Sequence, residues 1–287
     1  LILSVIARDY VLQVSDRRLT DLRTAKPTDD ESTKTILFNY FFSFSYTGLA
    51  QLPRSRTVRD ARGGDLNLTP TNTWLAEVLA LGTDLDGAIA LVASELRQAV
   101  MRVNLPTDSC RVAFVGVGWV RGEHDGPLQP VAVAVSNLTN PRQVDTNWWQ
   151  LGVDDDVSCI SSRALPRSIA KAHARNLAEC RRRGVGPAGV GRVLVETVRA
   201  VASVDSTVGK GLLQTCLPRA QVDLALTTGG AWSLRPGDPG LDYVTFRHIP
   251  AGAEDGIEHG PTLVAGQTVI GQLNLGSSAN VEFRADG

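Results

Sequence analysis

No apolar run in this 287-residue chain approaches the roughly 20 residues that a bilayer-crossing helix needs. The opening LILSVIA is cut short by Arg8 and Asp9 and has no basic region before it, so it reads as neither signal peptide nor anchor. An excess of charge of either sign is missing too. Lys and Arg number 29 against 30 Asp and Glu, and a net charge of -1 gives no electrostatic ground to expect nucleic acid or an anionic membrane as partner. Cysteine is scarce: Cys110, Cys159, Cys180 and Cys216 are scattered without a CxxC pair, so nothing asks for a zinc site, and free thiols suit a reducing cytoplasm. The histidines, His124, His173, His248 and His259, show no ligand spacing, and neither metal nor organic cofactor is expected.

What is present is a 43% apolar content, ordinary for one large domain or two small ones with a well-filled core. Ile2 to Ala7 and residues 10–15 are β-rich runs joined at Arg8-Asp9, the pattern of a hairpin. Neither run alternates cleanly, which implies a sheet covered on both sides. A second hairpin is expected from Thr35 to Phe38 and residues 41–46, split by Asn39. Residues 53–70 are rich in Arg, Asp, Gly, Thr and Pro and read as a long exposed loop.

Helical periodicity follows. Trp74, Leu75, Val78 and Leu79 share one face, and after Asp86 as a possible cap, Ile89, Val92, Leu96 and Val100 recur at intervals of three and four. Strand character returns at 111–117, at 131–135 and near Trp148-Trp149, with a turn at 122–126. For the paired tryptophans, side chains on opposite faces predict one ring in the core and one at an edge. Two further helices are expected over 164–183 and 190–204, then closing strands at 212–216 and 222–226. This order can build two facing sheets covered by helix pairs. Residues 229–287, rich in Gly and Pro with β-like pieces at 243–248 and 262–264, read as an extension packed on the domain formed by 1–228.

The stretch carrying chemistry runs from Tyr10 through Asp16-Arg17-Arg18, then Lys34-Thr35-Ile36, then Ser45-Tyr46-Thr47-Gly48. An aspartate ends the second strand, a lysine opens the third and a glycine ends the fourth. On one sheet edge these would place a carboxylate, an ammonium and a free backbone N–H around the chain's first residues. A hydroxyl nucleophile there could use a terminal α-amine as base, since its pKa of about 7.7 to 8.0 leaves a useful neutral fraction. The lysine charge would stabilise the alkoxide, the aspartate would hold the lysine, and the glycine N–H could donate to an oxyanion.

Asp16-Arg17-Arg18, Lys34 and Gly48 together resemble the proteasome β-subunit family and its bacterial relatives. The resemblance covers residues 1–228, with specific motifs in the first fifty. It implies an α+β fold, a four-layer αββα sandwich of the N-terminal-nucleophile (Ntn) hydrolase type. It also implies that Asp16 and Lys34 activate the nucleophile, that Gly48 serves the oxyanion hole and that Arg18 is structural support. Asp205 falls where the family has an aspartate closing its last long helix, although Val208 stands in place of the family's serine three residues on. Ser161-Ser162 lies near a further family segment that the sequence does not align to the residue. The family's nucleophile is a threonine opening the first strand. This chain opens with Leu1, and the Asp16 spacing suits a threonine immediately before it.

Competing readings are simpler. Ser4 lies inside a strand, has no free α-amine and reads as packing. Gly184 to Gly189 matches GxGxxG but follows a helix, so a helix-to-helix turn is expected. Arg181-Arg182-Arg183 ends a helix, where positive charge suits the dipole. The expected function is therefore a threonine-type amide or peptide hydrolase. The alternative is a catalytically inactive relative acting as an assembly or binding module. A homo-oligomer is expected in either case, because helices covering a two-sheet sandwich can present apolar stripes outward.

Overall fold

The computed structural model describes residues 1–20, 26–39, 41–54, 68–103, 110–121, 126–151, 157–227, 245–253, 256–259 and 264–265. Most strands fall into two six-stranded sheets. The first runs β12-β1-β2-β13-β14-β15, comprising Val157–Ser161, Ile2–Ala7, Tyr10–Asp16, Leu212–Pro218, Thr245–Ile249 and Ile257–His259. The second runs β11-β10-β9-β6-β5-β16, comprising Asp145–Gln150, Leu128–Ser136, Val112–Arg121, Phe42–Gly48, Thr35–Phe38 and Val264–Ala265. Every pairing in them is antiparallel except β16 on β5. Two short pairs stand apart, β3 (Leu19–Thr20) with β4 (Pro27–Asp29) and β7 (Gln51–Pro53) with β8 (Leu68–Pro70).

Five helices complete the described residues: α1 (Thr71–Leu79), α2 (Leu85–Arg102), α3 (Arg167–Arg182), α4 (Pro187–Ala202) and α5 (Arg219–Thr227). Three apolar clusters show how the parts pack. Ile36, Phe44, Tyr46 and Phe114 of the second sheet meet Trp74, Val78, Val92 and Leu96 of α1 and α2. Trp74 stacks on Phe114 with ring centroids 5.5 Å apart. Leu3, Val5, Leu12 and Val14 of the first sheet meet Leu194, Val198 and Val201 of α4. Between the sheets lie Ile6, Val11 and Leu217 from one and Leu37, Val117 and Trp119 from the other. Strands β1, β2 and β5 thus bury both faces, which is why their sequences are apolar at consecutive positions. Gly116 on β9 leaves room for the Phe44 ring, which a Cβ there would meet at 2.4 Å.

The structure departs from the sequence expectations at four places. Asp16, Lys34 and Gly48 do not share one sheet edge: Asp16 ends β2 in the first sheet, whereas Lys34 precedes β5 and Gly48 ends β6 in the second, so Asp16 and Lys34 meet across facing sheets, where both strands bury both faces. Residues 222–226 are not a strand but part of α5, where Arg219 and Asp223 pair at the i,i+4 spacing of a helix, 3.5 Å apart. The cap of α2 is Asp84, which accepts from the Gly87 N–H at 2.7 Å, while Asp86 sits inside the first turn. Neither Trp148 nor Trp149 enters the core. Both are exposed, at 41% and 36%, because β11 is an edge strand whose two faces no described residue covers. Expectations that fell on residues 55–67 and 122–125, and on most of the 229–287 extension, including 243–244 and 262–263, lie outside the described residues. Gly184, at φ +61°, sits in the turn between α3 and α4.

Among the described residues no helix is long and apolar enough to cross a membrane. The four cysteines form no disulfide.

Candidate active site

β1 and β2 pair so that the Asp16 N–H donates to the Leu1 carbonyl at 3.1 Å, which brings the end of β2 beside the start of the chain. The Asp16 side chain is buried, with the residue 1% exposed, and four donors converge on it. Its Oδ2 accepts from the Leu1 nitrogen. Its Oδ1 accepts from the Lys34 ammonium at 3.2 Å, the Arg18 N–H at 3.0 Å and the Gly209 N–H at 3.3 Å. Lys34, 5% exposed, also donates to the Arg18 carbonyl, so the ammonium is held from two sides.

The electrostatics follow from this geometry. Burial pushes the Asp16 carboxyl up, but the Leu1 nitrogen, the Lys34 ammonium and the Gly209 N–H outweigh it, holding the carboxyl below its ordinary 3.8.

On the other flank, β12 pairs with β1 in a register that sets Leu3 opposite Ser161. Carried two residues toward the chain start, the same register sets Leu1 opposite Arg163. The Ile2 N–H donates to Ser162 Oγ at 3.0 Å, and the Ser162 N–H returns to the Ile2 carbonyl at 3.0 Å. Arg163 in turn donates to Asp205 Oδ2 at 2.7 Å, while the Thr207 N–H and hydroxyl donate to Asp205 Oδ1 at 2.9 and 2.6 Å. Burial raises the Asp205 carboxyl, and the Thr207 and Arg163 contacts bring it below 3.8.

The residues singled out in the sequence therefore separate into groups. Asp16 and Lys34 are in direct contact, and Arg18 touches both through its backbone. The Arg18 guanidinium lies outward, on Asp30 at 2.5 and 3.0 Å and on the Ser206 carbonyl at 2.9 Å. Asp205 makes its side-chain bonds to Arg163 and Thr207 and reaches the chain start through Arg163. Gly48 ends β6 at the same edge as Lys34, two residues past Tyr46, whose N–H donates to the Lys34 carbonyl at 3.2 Å. Its φ of +104° and a Cβ position 2.0 Å from the Arg111 carbonyl oxygen require glycine there.

Sequence reasoning does not find Arg163. Gly209, which follows Val208 in the Asp205 segment, is seen as a glycine of that segment but not as a partner of Asp16, because its bond to Asp16 spans 193 residues. Arg163 gave no sequence signal, because only the β1–β12 pairing brings it to the chain start. Elsewhere His173 lies between Cys159 Sγ, at 3.3 Å, and Thr197 Oγ1, at 2.8 Å. Among the described residues no group of three or more His, Cys, Asp or Glu side chains could hold a metal ion.

No family model and no curated protein matches the chain. Solved structures do resemble it. They include Anbu (ancestral beta-subunit) from Yersinia bercovieri, at 13% identity and TM-score 0.47, with 76% of this chain and 81% of that one covered. Anbu from Hyphomicrobium sp. strain MC1 is similar at 14% identity and TM-score 0.44, covering 76% and 82%. HslV from Trypanosoma brucei is similar at 16% identity and TM-score 0.42, covering 75% of this chain and 99% of its own.

Proposed function

We propose that the protein is an Ntn hydrolase acting on amide or peptide bonds, built as a four-layer αββα sandwich, with its nucleophile a threonine immediately before Leu1. The observation that carries the reading is the buried Asp16 carboxylate, which holds the Leu1 nitrogen and the Lys34 ammonium together. A residue preceding Leu1 is bonded to that same nitrogen, so its side chain starts at the Asp16–Lys34 pair.

In this mechanism the threonine hydroxyl gives its proton to the threonine's own α-amine and attacks the substrate carbonyl. Lys34 stabilises the developing alkoxide, and Asp16 fixes Lys34 in place. The Gly48 N–H donates to the oxyanion of the tetrahedral intermediate. Collapse expels the leaving amine, which takes the proton, and water then hydrolyses the acyl ester to restore the threonine. Arg18 and Asp205 support this arrangement from outside, Arg18 by holding Asp30 and Asp205 by holding Arg163.

The division into a catalytic domain at 1–228 and an extension at 229–287 belongs to the same proposal. So does a cytoplasmic location, which the cysteines outside any disulfide support. Self-association is also expected, and light scattering over a dilution series reads it. A monomer at every micromolar concentration would remove that part.

The function is tested by producing the chain with threonine exposed as the residue before Leu1, beside a version carrying alanine there, and assaying a panel of amide and peptide substrates. Turnover in the first and none in the second is the expected result. Equal silence in both would favour an inactive relative serving as an assembly or binding module.

A further inference from the structure

Between the sheets, next to the Asp16–Lys34 pair, lies a buried row of polar side chains that the proposed reaction does not use. Ser15 Oγ is 3.2 Å from Thr35 Oγ1, which is 2.8 Å from Ser45 Oγ, and Ser45 donates to Gln13 Oε1 at 2.7 Å. Ser43 donates to the same oxygen at 3.2 Å, while the Gln13 amide donates to Ser4 Oγ and to the Val115 carbonyl, each at 3.1 Å. All six side chains are buried.

The direction of every bond in this row follows from Gln13. A carbonyl can only accept, so the Val115 oxygen faces the Gln13 NH2, and both amide hydrogens are used on it and on Ser4. Both lone pairs of Gln13 Oε1 are then filled by Ser43 and Ser45. With its hydrogen on Gln13, Ser45 must accept from Thr35. With its hydrogen on Ser45, Thr35 must accept from Ser15. The row is thus a one-way chain from Ser15 at the site edge to Gln13 in the interior.

Its position matters because Ser15 adjoins Asp16 on the first sheet, while Thr35 adjoins Lys34 on the second. The Asp16–Lys34 contact itself crosses between sheets. Apolar packing is non-directional and would tolerate sliding of one sheet over the other, whereas a directed hydroxyl chain holds one spacing and one register.

We propose that Thr35 is a positioning residue, which directly through Ser15 and by way of Ser45 through Gln13, both on β2, fixes β2 against β5 and so sets the Lys34–Asp16 contact. Thr35→Val keeps the shape and removes both bonds. Thr35→Ser keeps the hydroxyl. Ser43→Ala removes a branch that does not lead to the site.

The test follows the Asp16 carboxyl by carbon NMR across acid pH, where the groups facing it are the Leu1 nitrogen, Lys34 and the N–H groups of Arg18 and Gly209. Thr35→Val is expected to raise its titration midpoint toward the ordinary 3.8, with Thr35→Ser and Ser43→Ala matching the parent. If Thr35→Val does not fold, Ser45→Ala breaks the same chain one link further in and is expected to raise the midpoint likewise. An unchanged midpoint in the variant that folds, or an equal shift in Thr35→Ser, would overturn the role.

A kinetic consequence follows where the proposed hydrolase reading holds. In protein bearing threonine before Leu1, Thr35→Val is expected to lower kcat by about 10²-fold with KM unchanged, and Thr35→Ser to restore it. Should that parent protein show no turnover at all, the hydrolase reading fails, while the Asp16 titration still decides for or against Thr35.

Discussion

Replacing Asp16 with asparagine keeps the volume of the side chain and removes its charge from a site where the Lys34 ammonium, the Leu1 nitrogen and two backbone N–H groups converge on it. Lys34 is then left buried with its carboxylate partner gone. Breaking a buried ion pair by removing one member costs about 3–5 kcal/mol. At about 2–4 °C per kcal/mol for a chain of this size, the melting temperature at pH 7 should fall by roughly 6–20 °C. Asp205→Asn is the internal comparison. Its ion pair with Arg163 is partly exposed, and such pairs contribute about 0–1 kcal/mol. The pH dependence has a definite sign, because the folded carboxyl lies below its ordinary 3.8. The stabilisation from Asp16 is complete above that ordinary value and is lost only as pH falls below it, through the lowered folded value. Thermal melts by circular dichroism at pH 7 and in steps from pH 5 downward read both effects. An Asp16→Asn melt within 2 °C of the parent, or a larger loss in Asp205→Asn, would refute the reasoning.

In protein carrying threonine before Leu1, Lys34→Ala should reduce kcat by about 10²-fold or more while the protein stays folded at the assay temperature, and full activity would remove Lys34 from the mechanism. Gly48→Ala should cost on the order of 1–3 kcal/mol in a denaturant titration, since the new Cβ meets a backbone carbonyl and φ is positive; a neutral result would contradict the geometry at the end of β6. Burial lowers His173 from its ordinary 6.5, so the stability tied to its neutral form is complete above pH 6.5 and declines as pH falls from there through the folded value. Comparing urea unfolding of parent and His173→Gln between pH 7 and pH 5 checks this, and parallel curves would argue against it.

How far the sequence could be read varied with the range of the interaction. Asp16, Lys34 and Gly48 were legible as strand-end residues of two hairpins close in the chain, although the Asp16–Lys34 contact crosses between the two sheets that hold those hairpins. The apolar runs of β1 and β2 likewise announced strands covered on both faces. Arg163 was illegible because the β1–β12 pairing joins segments about 160 residues apart. Residues 222–226 carry apolar spacing that suits strand or helix, and only their place after β13, with Arg219 paired to Asp223, decides for the helix. The Trp148-Trp149 pair misled because alternation tells which faces two rings take, not whether anything covers those faces. The polar row through Gln13 gave no sequence signal, because its meaning lies in contacts between sheets that no local pattern records.

The central claim is that the Asp16–Lys34 pair activates a threonine hydroxyl on the residue before Leu1. Intact-mass and fragment analysis after treatment with an acylating β-lactone tests it most directly, using protein with that threonine exposed. A single acyl adduct located on the threonine is expected, absent when Lys34 is replaced by alanine. An adduct spread over other side chains, or one formed equally in the Lys34→Ala protein, would contradict it.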